Sequence, residues 1–363
     1  MEKKFIVLFI AGWALLGGCR EIFDPELDGV EGFLVVEGII TDAPERSEIR
    51  LGRSAPYGQG HYTRSRLEGA VVWVVDDHGE TFRFSETEPG VYVPEPGFAG
   101  VAGRHYVLHL ETPDGGSYVS ASQEMMEPVI TGAVSTETNT RNFQIPSQSG
   151  TPIPYEMEGV NVFIDLSGKD TPPMIRLESH LLVDYTVLLN SWYYFCWYRL
   201  SINDLIEREV ARNLTPGNAQ RHQIAFFPAR PEDLPHIRFT GHYTFMLNVN
   251  ITPNHYGSHR VIITDIYTLN EESYHFHTHR MRQLGNEGRF FDPVQSRLAS
   301  NIRSMTDPGE VVLGFFEASP VIRKEIAVTR DGNNYVTHPV KLPADLVEQG
   351  CYIDVPLDFI VYE

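Results

Sequence analysis

The feature that most constrains the fold is a succession of short strand-like segments, separated by turns, over the first third of the chain. Segments 33–41, 69–75 and 103–110 are rich in β-branched residues or alternate between apolar and polar ones. Asp and Gly residues, as in the sequence 76–79, lie between them and favour tight turns. This spacing, with almost no helical periodicity, predicts a mainly β fold whose N-terminal part is a β-sandwich over residues 32–127.

One hairpin sequence, Pro89-Gly90-Val91-Tyr92, belongs to a longer order of motifs in this region. A Gly-Ala strand, an Asp-Gly turn, this hairpin and a further Gly-x-x-Tyr strand follow one another. The order resembles the transthyretin-like or carboxypeptidase-regulatory-like sandwich. The resemblance implies that Gly90 and Tyr92 sit at a hairpin, with the tyrosine packed over the end of the sandwich in a structural role.

The rest of the chain, residues 128–363, is predicted as a larger and mainly β domain with one main helix. The segment 133–157 is rich in Ser, Thr, Asn, Pro and Gly, and this composition predicts a long loop or an extended crossover. Residues 203–213 are predicted as a short second helix. The predicted strands of this domain are 160–165, 174–180, 192–200, 242–250, 259–267, 311–316 and 324–329.

The main helix is predicted over about residues 270–285. Asn270 can cap its first turn, two acidic residues follow the cap, and Gly285 can end the helix. Its predicted buried face, at three- and four-residue spacing, consists of Tyr274, His277, Met281 and Leu284.

Three histidines alternate along this helix. His275 and His279 lie four residues apart on one face, which is the spacing of a two-histidine metal site, whereas His277 points toward the core. The pair has no glutamate inside it, as zinc proteases have, and no third ligand is indicated. Two interpretations stay open: a metal site, or a helix with two exposed histidines and one buried. The second is favoured, so no metal and no other cofactor is predicted.

The sequence of residues 1–18 predicts a lipoprotein signal peptide. Lys3 and Lys4 precede a short apolar run, and Leu16-Gly17-Gly18-Cys19 matches a bacterial lipobox. Acyl chains such as palmitate on Cys19 would anchor the protein to a membrane by hydrophobic transfer. Residues 19–31 are polar and are predicted to form a tether.

The charge of the chain argues against one class of partner. Its 48 acidic residues exceed its 29 Lys and Arg residues, giving a formal net charge of −19. Such a chain repels the phosphate backbone, so nucleic-acid binding is not expected.

Beyond Cys19, the chain contains two cysteines and one dense aromatic segment. In an oxidising compartment an even pair suggests a disulfide, so Cys196 and Cys351 are expected to be linked, with two buried free thiols as the alternative. Trp192, Tyr194 and Trp197 form a candidate binding surface, although alternation along a strand assigns half of such a segment to the core.

Several segments occur in an order that resembles the domain of unknown function 4249 family, lipoproteins of Bacteroidota. The resemblance covers nearly the whole chain after the signal peptide and implies no catalytic residues. It does imply a location and a partner, because it indicates an outer-membrane lipoprotein that accompanies a TonB-dependent receptor. The segments include 34–42 (LVVEGIITD), 69–79 (GAVVWVVDDHG), 89–92 (PGVY), 269–276 (LNEESYHF), 291–293 (FDP) and 307–316 (DPGEVVLGFF).

Three functions are weighed on this basis. The leading hypothesis is a non-enzymatic accessory or ligand-binding partner of a TonB-dependent receptor, anchored in the outer membrane on either of its faces. The alternatives are an envelope hydrolase or metal-dependent enzyme with a site made of scattered residues, and a structural envelope protein. The sequence lacks a Gly-x-Ser-x-Gly elbow, a phosphate loop, a dinucleotide fingerprint and a Cys-x-x-Cys motif, which favours the leading hypothesis.

Overall fold

The structure is a computed structural model. It describes residues 32–54, 65–145, 153–169, 173–189, 192–202, 210–212, 220–229, 256–284, 298–331, 334–342, 349–352 and 361–362. The statements below concern these residues.

The chain is mainly β, as the sequence predicts. The first nine strands are β1 (Leu34–Ile40), β2 (Glu48–Arg53), β3 (Ser65–Arg66), β4 (Val71–Asp76), β5 (Thr81–Glu88), β6 (Val91–Pro94), β7 (His105–Glu111), β8 (Ser117–Ser120) and β9 (Gln123–Glu124). The next seven are β10 (Ile130–Ile145), β11 (Ile153–Ser167), β12 (Met174–Leu189), β13 (Trp192–Ser201), β14 (Val210–Arg212), β15 (Gln220–Pro228) and β16 (Tyr256–Leu269). The last six are β17 (Ile302–Ser304), β18 (Val312–Ala318), β19 (Val321–Asp331), β20 (Asn334–Lys341), β21 (Gln349–Tyr352) and β22 (Val361–Tyr362).

Two short helical elements accompany the strands. A 3-10 turn covers Pro44–Arg46, and the one α-helix in the described part, α1, covers Glu271–Leu284. This helix lies where the capping and periodicity signals predict it. No helix in the described ranges combines the length and the apolar character needed to cross a membrane.

The described strands form three sheets. The first has eleven strands in the order β17-β8-β7-β4-β5-β6-β2-β1-β18, with β3 on β2 and β9 on β7. The second is the three-stranded sheet β10-β11-β15. The third has eight strands in the order β21-β13-β12-β16-β19-β20-β22, with β14 on β12.

The first sheet is completed by strands from the far end of the chain. β18 pairs in parallel with β1, from Leu34 opposite Val312 to Ile40 opposite Ala318, and β17 pairs with β8. The division of the chain at residues 127 and 128 stays a prediction. What the structure adds is that the chain returns to the first sheet after forming four of the eight strands of the third sheet, and then forms the other four.

Two hydrophobic cores follow from the alternation of residues along the strands. The first core gathers inward residues of the eleven-stranded sheet, from Leu34 and Val36 of β1 to Leu108 of β7 and Phe316 of β18, so this sheet curves around its own interior. The second core lies between the three-stranded and eight-stranded sheets. Its largest fully buried side chains, Phe226 and Phe227, come from β15 and are 0% exposed.

The two turns singled out in the first sheet have the geometry their sequences predict. The Asp76 carboxylate accepts hydrogen bonds from the backbone N–H groups of His78 (3.0 Å) and Glu80 (2.9 Å), and Gly79 has a φ of +80°. Tyr92 is buried, and its hydroxyl accepts from the N–H of Ala70 at 2.9 Å. Its side chain therefore ties the hairpin to the start of β4.

Two predictions for the chain after residue 128 were wrong. Within the polar segment 133–157, predicted as a long loop or an extended crossover, residues 133–145 and 153–157 instead belong to β10 and β11, which pair as an antiparallel ribbon. Its β-branched residues support strands, while the polar side chains of the ribbon face solvent. Residues 210–212 form a strand rather than part of a helix. Residues 203–209 and the predicted strand 242–250 lie outside the described residues.

Gly314 allows β18 to enter the first sheet. It has a φ of +98°, and a Cβ at this position would lie 1.9 Å from the carbonyl oxygen of Val36. A side chain would therefore suffer both an unfavourable backbone conformation and a collision with rigid backbone.

We expect Gly314→Ala to lower the free energy of unfolding by at least about 3 kcal/mol, measured by urea denaturation. Gly79→Ala is the matched control, because Gly79 also has a positive φ but a Cβ there meets nothing within 4 Å. This control should cost only about 1 kcal/mol. Equal losses would show that the close approach of β18 to β1 does not matter.

Candidate functional site

A buried carboxylate lies where the first sheet, the third sheet and the helix meet. Glu317 of β18 is 3% exposed and uses both of its oxygens. Oε1 accepts a hydrogen bond from Nη2 of Arg176 at 2.8 Å, and Oε2 lies 2.5 Å from Nε2 of His277. Because Arg176 belongs to β12 and His277 to α1, one side chain connects three elements.

Arg176 is the cation of this cluster. Its guanidinium lies 4.1 Å above the ring of Tyr267, and its Nη1 donates to the carboxylate of Glu178. Burial by itself would lower the pKa of Arg176, but the carboxylates of Glu317 and Glu178 outweigh burial and raise the pKa above its usual value. The guanidinium therefore stays charged inside the protein.

The protonation states of Glu317 and His277 also follow from the balance between burial, which favours the neutral form, and the charges nearby. Burial favours the neutral acid of Glu317, yet Arg176 and His277 outweigh it and keep the pKa of Glu317 well below its usual range. Burial lowers the pKa of His277 despite the nearby carboxylate. A neutral imidazole bonded to an ionised carboxylate must carry its proton on Nε2, so His277 donates to Glu317.

The start of α1 is fixed by a polar network that reaches the first sheet. The side-chain oxygen of Asn270 accepts from the N–H of Ser273 at 2.8 Å and so caps the helix. The amide of Asn270 donates to Gln123 at 3.0 Å, and Gln123 in turn donates to Glu272 at 2.6 Å. This cap sets the position of the helix, and with it the position of His277 about two turns later.

A cavity of about 880 Å³ lies over this cluster. Part of its wall is a pair of aromatic rings, Phe276 and Phe315, stacked at 4.4 Å between centroids. A smaller cavity of about 410 Å³ shares its rim at β1 and β2. The apolar lining of the larger cavity consists of Val35, Ile39, Tyr267, Phe276, Leu298, Leu313 and Phe315.

The charged lining of the cavity is nearly balanced, unlike the chain as a whole. Arginines and glutamates surround it in similar numbers, and several pair with each other, as Arg50 does with Glu48. The charged residues are Arg50, Arg176, Arg280, Glu37, Glu48, Glu178 and Glu317. The site therefore offers apolar walls and hydrogen-bonding groups of both kinds without a strong net charge.

Comparison with known proteins agrees with the resemblance read from the sequence. A family model described as Domain of unknown function (DUF4249) matches residues 20–325. The chain belongs to this family. No curated protein and no solved structure matches it.

The family match covers the whole candidate site. Arg176, Tyr267, His277 and Glu317 all lie within the matched residues, and so does the whole of the first sheet, whereas β20, β21 and β22 of the third sheet come after them. The family description assigns no activity. The roles of these residues therefore rest on the geometry of this chain.

The structure separates the three helix histidines as the spacing predicts. His275 and His279 are exposed, and His275 lies 3.7 Å from the carboxylate of Glu271, whereas His277 is buried. Among the described residues, no group of three His, Cys, Asp or Glu side chains is placed to hold a metal ion. That His275 and His279 hold no metal stays a prediction.

The other candidate residues lie in less fully described parts of the chain. Cys19 lies outside the described residues. The backbone of β13 and β21 is described, but most of the side chains there are not. This applies to Trp192, Tyr194, Cys196, Trp197 and Cys351.

Sequence reasoning missed Arg176, Glu178 and Glu317. A signal exists, because Glu317 follows two phenylalanines at the end of an apolar run, and a lone charge in such a run indicates a buried and paired group. Its partner could not be found in this way, since Arg176 is 141 residues away in the sequence.

We expect Glu317→Gln to lower the free energy of unfolding by about 3–5 kcal/mol, because it leaves Arg176 buried without its main counter-charge. Glu178→Gln is the matched control: it contacts the same arginine from a side chain that is 35% exposed. It should cost less than about 1 kcal/mol in urea denaturation. Similar values for the two variants would contradict the central role of Glu317.

The lowered pKa of His277 predicts a pH dependence of stability. In the unfolded chain His277 takes up a proton below about pH 6.5, while the folded protein resists this. Stability should therefore fall as pH decreases from about 6.5, by up to about 1.4 kcal/mol per pH unit. Glu317 adds a separate loss only below about pH 4.3, where the unfolded carboxyl is protonated.

The measurement is urea denaturation of the wild type and of His277→Gln between pH 8 and pH 5. The variant should show a smaller slope of stability against pH in this window. His275→Gln, an exposed histidine on the same helix, controls for the loss of an imidazole. An unchanged slope in His277→Gln would show that His277 is not held neutral.

Proposed function

We propose that this protein is a lipid-anchored outer-membrane protein that binds a small ligand in the cavity between its sheets, as a non-enzymatic partner of a TonB-dependent receptor. The observation that carries the proposal is the cavity of about 880 Å³ over the Glu317 cluster. Its volume falls in the range of about 300–1,000 Å³ that is typical of small-molecule sites.

The lining of the cavity supports binding of a ligand with both apolar and polar parts. Stacked Phe276 and Phe315 and the side chains of Ile39 and Leu313 offer apolar contact. Near them, Glu178 is half-buried beside Arg176 and can accept hydrogen bonds. Apolar walls with a few convergent polar groups are the usual form of a ligand site.

The lipid anchor is supported by the lipobox at Cys19, and the fold gives the anchor a spatial consequence. Strand β1, whose Val35 and Ile39 line the cavity, begins at Leu34. A fully extended chain spans at most about 3.3–3.6 Å per residue, so the 15 residues from Cys19 to Leu34 reach roughly 50 Å. An acylated Cys19 would thus keep the cavity close to the membrane surface.

Partnership with a TonB-dependent receptor rests on association. The family resemblance implies that such lipoproteins accompany these receptors. This inference rests on the association of the family with the receptors and not on a residue of this chain. A cavity near the membrane is compatible with delivering a ligand to such a partner. This makes the receptor the first partner to test.

The test is capture of the full-length, C-terminally tagged protein from detergent-solubilised outer membranes of its own bacterium, read by native mass spectrometry. We expect an acylated protein that carries a small bound molecule and co-purifies with a β-barrel receptor. Cys19→Ala should leave the membrane fraction, because it removes the site of acylation.

A matched pair of variants tests the cavity. Leu313→Trp places a large side chain into the lining and should abolish the bound molecule while leaving acylation intact. Val71→Trp makes a similar change at a position that is 56% exposed and away from the cavity, and should retain the molecule. Anchored wild-type protein with neither a bound molecule nor a barrel partner would contradict the proposal and favour a structural role.

A further inference from the structure

The two cysteines outside the N-terminal segment come to directly opposite positions in the third sheet. β13 and β21 pair in antiparallel fashion, and Cys196 has Cys351 as its Cα partner. The neighbouring pairs, Phe195 with Tyr352 and Trp197 with Gly350, keep the same register. The sequence distance between the cysteines is about 155 residues, so this coincidence is produced by the fold.

We propose that Cys196 and Cys351 form an intramolecular disulfide that fastens β21 to the third sheet. Directly opposed residues of antiparallel strands have Cα atoms about 4.5 or 5.5 Å apart, depending on whether the pair is hydrogen-bonded. Both distances lie within the range of about 4.4–6.8 Å found across disulfides. The register of the backbone therefore places the two cysteines at a separation that a disulfide can span.

The position of β21 explains what such a bond would do. β21 is an end strand of the third sheet, and four residue pairs with β13 attach it there. The enclosed loop runs from β14 to β20 and includes β17 and β18 of the first sheet. A bond between its ends restricts the unfolded chain strongly, because the stabilisation grows with the length of the loop.

The chemistry requires an acceptor for two electrons. Two thiols become one disulfide, with the release of two protons and two electrons. A protein disulfide of a thiol–disulfide oxidoreductase can take them: one cysteine thiolate attacks it to give a mixed disulfide, the second thiolate resolves that intermediate, and the oxidoreductase leaves as a dithiol. Such exchange proceeds in the oxidising compartment that the proposed export reaches.

The register can be tested independently of export. Full-length protein carrying Cys19→Ser is produced in the cytoplasm, reduced, and then oxidised as a folded protein with oxidised glutathione. We expect a monomer whose mass falls by two hydrogen atoms, and one linked peptide pair that contains Cys196 and Cys351. If each cysteine instead carries one glutathione, the two are not opposed and the proposal is wrong.

The protein from the bacterial envelope gives the second test. After denaturation without reductant, iodoacetamide should modify neither cysteine, and after reduction it should modify both. Cys196→Ser and Cys351→Ser each serve as controls, because each leaves its partner open to modification without reductant. Full modification of the wild type without reductant would overturn the disulfide in the native protein, even if glutathione oxidation had confirmed the register.

Discussion

The rest of the structure depends on the burial of one negative charge at Glu317. A carboxylate away from water costs several kcal/mol unless it is paired and fully hydrogen-bonded. The first sheet contains β18 but takes the partners of Glu317 from outside: Arg176 from the third sheet and His277 from the helix. The two large sheets and α1 must therefore keep one relative position, because any separation leaves this charge unpaired.

A second buried carboxylate enforces the same arrangement from another side. Asp265 of β16 is 2% exposed and receives both Nε and Nη2 of Arg323, at 2.8 and 2.9 Å. It also accepts from Arg46 at 2.9 Å, which lies in the turn between β1 and β2. Paired charges of this kind fix geometry more surely than they add stability, since apolar packing can often match their energy. The junction of the sheets is thus specified by geometry as well as by burial.

The limits of sequence reasoning follow from the same interactions. Local signals sufficed for the turn at Asp76 and for the cap at Asn270, because each involves residues a few positions apart. The hairpin position of Tyr92 was expected from the resemblance, and its hydrogen bond to Ala70 spans 22 residues. The ribbon of β10 and β11 was not predicted, because its polar composition is typical of a loop. The parallel pairing of β1 with β18 was also out of reach, since its register is set by partners nearly 280 residues away. The Glu317 cluster depends on that pairing, so it could not be predicted from the sequence either.

These constraints bear on how the cavity would work as a binding site. Its walls come from β1, β2, β12, β16, β18 and α1, so a ligand there would touch both large sheets. A ligand stabilises such a junction only by the difference between its affinities for the joined and separated states. Here the charge pairs beneath the cavity already keep the sheets joined without a ligand. The cavity is consequently pre-formed, and binding in it would require little ordering of the protein, which favours affinity.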